Sequence, residues 1–497
     1  MRSYDHFLEE EGAVFPGKTY VEALLKPVFN DQRDYLFTVM FDIHRAHVVM
    51  LAEQGILDVE EARTILKAVN KVAQIDVSTL QYDPDFEDLF FMMEAKIGEE
   101  IGGDLAGKMH IGRSRNDMGV AMYRLVLRTR LLHFIEHAYQ LSETILHQAE
   151  KHKETYMTGY THTQPAQPTT LGHYLLAVFD VLQRDVKRLW SAYKTVNRSP
   201  LGAAAMTTTG FPINREHVCS LLGFDDIVEN AYDSIGGADY LLEIATAMMT
   251  TMANTGRWIQ DFLQHVTREF GSFQVADPYV QVSSIMPQKR NPVSIEHSRA
   301  LASSAYGEAL TAVTMIHNTP FGDIVDTEDD LQPHLYRSFE TGERVFQLMY
   351  AVITSLQVNK DHLQRMARKS CITITELADS LTRNYQVPFR KAQIIASAIS
   401  TETWKERKEL DDWHVDEINQ LIQTYEEEVE LTELEWRDII SPAYFVKIRD
   451  IQGGPNPQEV ARMIDVRKEK LARAKQKHTE IVRLLLEKKE KLETYNL

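Results

Sequence analysis

Four stretches of this chain, roughly 116–152, 170–196, 232–268 and 294–318, carry apolar residues at helical spacing. A period of 3.6 residues gathers such side chains into one stripe per helix. Most globular helices are ~10–14 residues long, and helical stability comes mainly from packing a stripe against neighbours. Runs near thirty residues therefore point to a long helical bundle. They are rich in Ala, Thr, Ser and Met, so helices can approach closely and further faces can be buried when chains associate. An oligomer is expected.

Glycine and proline punctuate the gaps, at Gly159, Pro165, Pro168, Pro200, Gly202, Gly210, Pro212, Pro278, Pro287 and Pro292. Before the bundle, residues 31–55 read as one helix through Leu36, Val39, Met40, Ile43, His47, Met50 and Leu51, stopped by Gly55. Asp58 starts another, with Glu61 at capping-box spacing. Tyr82-Asp83-Pro84 interrupts the pattern before residues 86–97 resume it. After the bundle, 375–379 and 389–400 read as helical and the charge-dense 403–437 as short solvated helices. The turn Gly453-Gly454-Pro455-Asn456-Pro457 precedes a Lys- and Glu-rich helix over about 458–493, expected to be solvated, with a coiled-coil contact as the less favoured alternative.

The chain has 497 residues, more than one core normally holds, so two to four domains are expected. A net charge of -18 disfavours a nucleic-acid surface. Two cysteines, Cys219 and Cys371, make neither a disulfide framework nor a cysteine metal cluster. The start shows no apolar signal segment, and no 18-residue apolar run offers a membrane span, so a reduced cytoplasmic setting is expected. Neither a GxGxxG opening a βαβ unit nor a phosphate loop occurs, and His44 with His47 lacks an HExxH context, so metal use is not expected.

Three polar clusters stand out. His110-Ile111-Gly112-Arg113-Ser114-Arg115-Asn116-Asp117 precedes a long helix, which Ser114 or Asn116 can cap. Helix N-terminal amides and arginines both favour anions, although a solvated cap with ordinary salt bridges reads equally well. Gly159-Tyr160-Thr161-His162-Thr163-Gln164-Pro165-Ala166-Gln167-Pro168 lies between two long helices. There Thr161 can donate to a carboxylate and His162 can relay protons, or the segment is a rigid turn with a satisfied histidine. Ser283-Ser284-Ile285-Met286-Pro287-Gln288-Lys289-Arg290-Asn291-Pro292 suits neither helix nor strand, because its prolines lack donors and restrict their neighbours. It reads as a polar loop able to hold a carboxylate and move a proton; the alternative is an exposed loop with Ser294 as a cap. Glu296 falls near the next helix's first turn, where it can orient a histidine. Together the clusters suit an enzyme acting on a small, multiply charged anion, for which an acidic protein needs a locally positive cleft. Arg113, Arg115, Lys289 and Arg290 are available for one.

At these three clusters the sequence resembles the argininosuccinate lyase family of the fumarase/aspartase superfamily, with further likeness at Asn197-Arg198-Ser199-Pro200-Leu201-Gly202 and Gly453-Gly454-Pro455. The resemblance runs from about residue 28 to 465. It implies an all-α fold of three domains, placed at 1–112, 113–362 and 363–497, whose five long central helices build a twenty-helix core in a homotetramer, with active sites shared between subunits. It implies a cofactor-free, metal-free lyase that cleaves the C–N bond of an N-substituted aspartate by anti elimination, giving fumarate and an amine. Argininosuccinate, giving arginine, is the leading substrate, as in arginine biosynthesis. By the same resemblance Ser283 is the general base on a mobile loop. Thr161 and His162 handle protons and carboxylates, and Glu296 pairs with His162. Arg115, Asn116, Thr161, Ser284, Met286, Lys289 and Asn291 meet the substrate, Lys289 and Asn291 also holding the charge of the intermediate. A structural protein of the crystallin kind shares the fold and stands as the non-enzymatic alternative.

Three departures bear on the substrate. The family's opening Trp/Gly-Gly-Arg-Phe element has no counterpart before Gly17. Where the family carries a histidine after Glu-Asp-Ile, this chain has Glu87-Asp88-Leu89-Phe90. The family's Tyr-Asn-Lys-Asp-Leu-Gln-Glu-Asp segment is replaced by Asp323-Ile324-Val325-Asp326-Thr327-Glu328-Asp329-Asp330. That exchange removes a tyrosine hydroxyl, a lysine and a glutamine from the amine-side pocket and adds carboxylates. A lyase for another N-substituted aspartate, of the ethylenediamine-disuccinate type, is therefore the rival reading.

Overall fold

The computed structural model describes residue 7 and residues 10–497. Residues 1–6, 8 and 9, part of the opening stretch read as lacking a signal segment, lie outside the described residues. Helices dominate. Ahead of the bundle come α1 (Lys26–Tyr35), α2 (Phe37–Glu53), α3 (Val59–Val72) and α4 (Leu89–Ile101). The single run expected over 31–55 divides at Leu36, between α1 and α2. Asp58 caps α3 by accepting from the Glu60 amide, but Glu61 closes no capping box; it reaches across to Lys108 instead.

Five long helices follow: α5 (Arg115–Lys151), α6 (Leu171–Val196), α7 (Asp239–His265), α8 (Val293–Ile316) and α9 (Gln332–Thr354). Each packs on the next and α9 returns to α5, closing a ring. Four of them are the runs legible in the sequence; α9 is the fifth, with Leu335, Phe339, Val345, Phe346, Met349 and Val352 buried at helical spacing. Gly342 lets α9 approach α5 closely, since a Cβ there would lie 2.9 Å from the Phe134 ring.

A separate, smaller core lies between Leu377 and Ile439, built by α10 (Ile374–Tyr385), α11 (Phe389–Lys405), α12 (Val415–Gln423) and α13 (Glu433–Ile440) around the buried Trp436. The last helix, α14 (Pro457–Glu493), leaves that core and packs along α5. It is not simply solvated. Val460, Met463, Ile464 and Leu471 join the main core, and His478 Nε2 lies 2.9 Å from the Leu132 carbonyl. Arg467 forks onto Asp180 at 2.7 and 2.6 Å, while Lys468 and Lys475 pair with Glu150 and Glu143. The lysines that made the helix look solvated flank a narrow apolar face.

Between α5 and α6 the chain forms an antiparallel hairpin, β1 (Tyr156–Thr161) and β2 (Gln164–Thr170), where sequence suggested only a turn. His162 and Thr163 form its two-residue turn, both with positive φ (49° and 63°), the hand that matches strand twist. No helix among the described residues is long and apolar enough to cross a membrane.

Candidate active site

The first cluster is set by how α5 begins. Gly112 turns the chain with φ 71°, and a Cβ there would meet Ile213 Cγ2 at 2.8 Å. Ser114 is the N-cap and closes a capping box with Asp117, whose Oδ1 accepts from the Ser114 amide at 2.9 Å. Asp117 Oδ2 accepts from the Gly202 and Ala204 amides at 2.9 and 3.1 Å, tying the turn near 200 to the helix start. Burial pushes the Asp117 carboxyl up to about 6, against the pull of those backbone donors. Arg113 does not line a cleft. It is buried, 3.1 Å from His44 Nδ1 and 3.4 Å from His110 Nδ1, and burial lowers its guanidinium to about 10.

Arg115 and Asn116 face a cavity of about 220 Å³ lined also by Asp88, Tyr123, Asp323, Glu328 and Asp329. Arg115 Nη1 lies 3.0 Å from Glu87 and 3.1 Å from Asp88, and its guanidinium sits near the Phe91 ring. The Asn116 amide donates to Asp323. Tyr123 Oη donates to Asp329 at 3.0 Å, and Gln32 Nε2 reaches both Asp329 oxygens at 3.2 Å. Burial raises the Glu328 carboxyl above the usual range, helped by its hydrogen bond with Asp323. Gln32 and Tyr123 carry no local motif and went unnoticed in the sequence; only the fold brings α1 and α5 together with the acidic segment 323–330.

The second cluster is the hairpin tip. Thr161, His162 and Thr163 are exposed, and Tyr160 anchors the strand against Phe270 and His265. Nearby, Gln167 Nε2 reaches Thr375 Oγ1 at 3.4 Å.

The third cluster is a loop closed by pairing of Gln281-Val282 with Arg290-Asn291. Ser283 Oγ accepts from the Ile285 and Met286 amides at 3.3 and 3.1 Å. Ser284, Met286 and Lys289 are exposed, and Ile285 is 86% exposed, too open for an apolar side chain with a partner. Lys289 lines a broad cleft with Arg268 and His362 rather than the Arg115 cavity. Arg290 pairs with Asp277 and so is not a free cleft cation. Pro292, not Ser294, is the N-cap of α8; the Ser294 hydroxyl donates to the Tyr279 carbonyl at 2.9 Å. Glu296 stands exposed in the first turn of α8. Among the described residues, no hydrogen bond or ion pair joins any two of the three clusters, nor Glu296 to His162.

Comparison with known proteins gives the context. Residues 29–307 match a lyase family model, and residues 371–447 match the argininosuccinate lyase C-terminal model. The chain is 39% identical over 452 residues to argininosuccinate lyase 2 of Agrobacterium fabrum, covering 90% of each. It is 35% identical to argininosuccinate lyase of Methanocaldococcus jannaschii, covering 94% of this chain and 95% of that one. The chain belongs to the argininosuccinate lyase family. Like that family, it is an enzyme, a carbon–nitrogen lyase. Among solved structures, EDDS lyase in complex with formate superposes with TM-score 0.86 at 31% identity, covering 94% of each chain. A variant of EDDS lyase with bound fumarate gives 0.85 at the same identity and coverage. A 3-carboxy-cis,cis-muconate lactonizing enzyme from Pseudomonas putida shares the fold alone, at 17% identity and TM-score 0.72. The helical fold expected of the argininosuccinate lyase family is the one observed.

Proposed function

We propose that this lyase acts on an N-substituted aspartate, breaking the C–N bond by anti elimination to release fumarate and an amine, with argininosuccinate, giving arginine, as the leading substrate. The carrying observation is the relation to argininosuccinate lyases over nine tenths of the chain; Thr161, His162, Ser283, Lys289, Asn291 and Glu296 are the residues proposed to do the chemistry. EDDS lyase, similar over 94% of the chain, supports an aminopolycarboxylate as the second reading.

In this reading Ser283 removes the proton from the carbon beside a carboxylate. A serine hydroxyl is a weak base in water, but two backbone amides already point at its oxygen, and donors to an anionic form favour that form. The electron pair left behind spreads into the carboxylate as an enediolate. Lys289 and Asn291 stabilise it more than the ground state, the condition for catalysis. The pair then returns to form the double bond as the C–N bond breaks and the amine leaves with a proton. Thr161 and His162, oriented by Glu296, serve that side, while Arg115, Asn116, Ser284 and Met286 hold the succinyl part.

Among the described residues, no hydrogen bond or ion pair joins the three clusters within one chain, which supports a site formed where subunits meet, in a homotetramer of three-domain chains divided near residues 112 and 362. The setting proposed is cytoplasmic. Purified protein incubated with argininosuccinate should generate fumarate absorbance; none at high enzyme concentration would reject that substrate, and a panel of N-substituted aspartates then decides between the two readings.

A further inference from the structure

The cavity beside Arg115 has a chemistry that the reaction alone does not require. Four carboxyl groups line it, Asp88, Asp323, Glu328 and Asp329, and Arg115 is the single cation among its lining residues. That cation is already engaged by Glu87 and Asp88. The Asn116 amide is likewise taken, by Asp323. A carboxylate entering on the amine portion of a substrate would meet like charges at Asp323, Glu328 and Asp329, and the one cation this chain places there is already paired. A positively charged group would instead pair with Asp323 and Glu328, two carboxyl groups that otherwise hydrogen-bond to each other. The occupant is not a metal ion, since no three His, Cys, Asp or Glu side chains among the described residues are grouped to ligate one. The carboxyls are instead spread around a space suited to a small organic group, with Leu36, Met40 and Val120 as its apolar wall.

We propose that the Asp323 and Glu328 side of this cavity receives the leaving amine as a net cation, an alkyl chain ending in an ammonium or guanidinium and carrying no carboxylate at its far end, while the Arg115 side is left to the succinyl part. Asp323 and Glu328 are the residues that select it. The inference rests on the lyase reading and sharpens it: argininosuccinate, whose arginine part carries a far carboxylate, becomes a poorer substrate than the same molecule without that group.

The test compares argininosuccinate with its decarboxylated counterpart, which differs by one carboxylate, and with ethylenediamine disuccinate, following fumarate release by the full-length enzyme. The decarboxylated substrate should have kcat/KM about tenfold or more above the other two, and Asp323→Asn or Glu328→Gln should shrink that ratio several-fold. Equal or better turnover of either carboxylate-bearing substrate overturns the proposal, as does a ratio that neither variant moves. Absence of fumarate from all three sinks the lyase reading rather than the cavity. Calorimetry with 4-aminobutylguanidine against arginine then judges the cavity by itself: the former should bind more tightly, and equal or weaker binding overturns the assignment.

Discussion

The side-chain amide of Asn116 donates to Asp323, fastening the first turn of the longest bundle helix to a segment 207 residues further along. Asp323 also meets Glu328, so one carboxylate links a candidate substrate-binding residue to the acidic wall. In the proposed reading, this contact couples the amine side of the site to its succinyl side. Asp323→Ala should raise KM by about tenfold by releasing Asn116, with kcat less affected; unchanged KM would show that Asn116 does not touch substrate.

Glu328 gives the cavity a pH dependence. Burial first, then Asp323 and the charge of Asp329, raise its carboxyl to about 8, with Arg115 opposing. Below that value it carries a proton and adds no negative charge; above it the wall gains one. KM for a cationic-amine substrate should therefore fall as pH rises from 7 to 9. Glu328→Gln should flatten that trend, and a steep trend surviving the substitution would place its origin elsewhere.

Ser283→Ala removes the proposed base from a loop whose residues 284–290 are exposed. Turnover should drop by about 10²- to 10⁴-fold, the usual contribution of general-base catalysis, while circular dichroism and assembly size stay unchanged. A normal rate in this variant would falsify the assignment.

Lys289→Met deletes the cationic donor to the enediolate. Loss of one such donor typically costs about 3 kcal/mol of transition-state stabilisation, so kcat should fall about 100-fold or more. KM should change much less; the reverse pattern, KM raised with kcat intact, would make Lys289 a ground-state anchor only.

Acid should destabilise the fold through its buried histidines. Burial lowers His47 to about 3 and His265 to about 4, and holds His44 well below its ordinary value. Above the unfolded value, about 6.5, both states are neutral and nothing is lost. As pH falls below it, the unfolded chain takes protons that the folded one refuses, so stability declines, by about 2 kcal/mol at pH 5 for His47 alone. Asp117 and Asp185, raised to about 6, and Glu328, raised to about 8, work in the opposite sense, because the folded chain holds their protons more tightly than the unfolded one. The share that belongs to His47 is isolated by substitution: between pH 7 and 5 the melting temperature of His47→Gln should fall less, or rise more, than that of the parent protein, and parallel curves would show that His47 carries none of the acid sensitivity.

Helix periodicity and capping made much of this architecture readable. The sequence offers Ser114 and Asn116 as candidate caps for α5; Ser114 is the cap, and the helix begins one residue after it. The hairpin escaped notice because Pro165 and Pro168 argue against strand, and neither His162 nor Thr163 is a residue that signals a positive-φ turn. The packing of α14 was hidden because its apolar face is only a few residues wide amid lysines and glutamates. Ser283, Lys289, Thr161 and His162 were visible as motifs. The acidic cavity was visible only as an odd substitution at 323–330, since charge in a sequence says nothing about which carboxyls will share a space with Arg115, Gln32 and Tyr123.

The return of α14 along α5 has a consequence for how the molecule is made. Residues near 180 and 220 and as early as Asp42 receive Arg467, Lys488 and Lys489 from the last helix. A nascent chain on the ribosome can assemble its five-helix ring well before that helix emerges. Until that helix has emerged, the flank of α5 around Leu132 that His478 covers in the folded chain is bare.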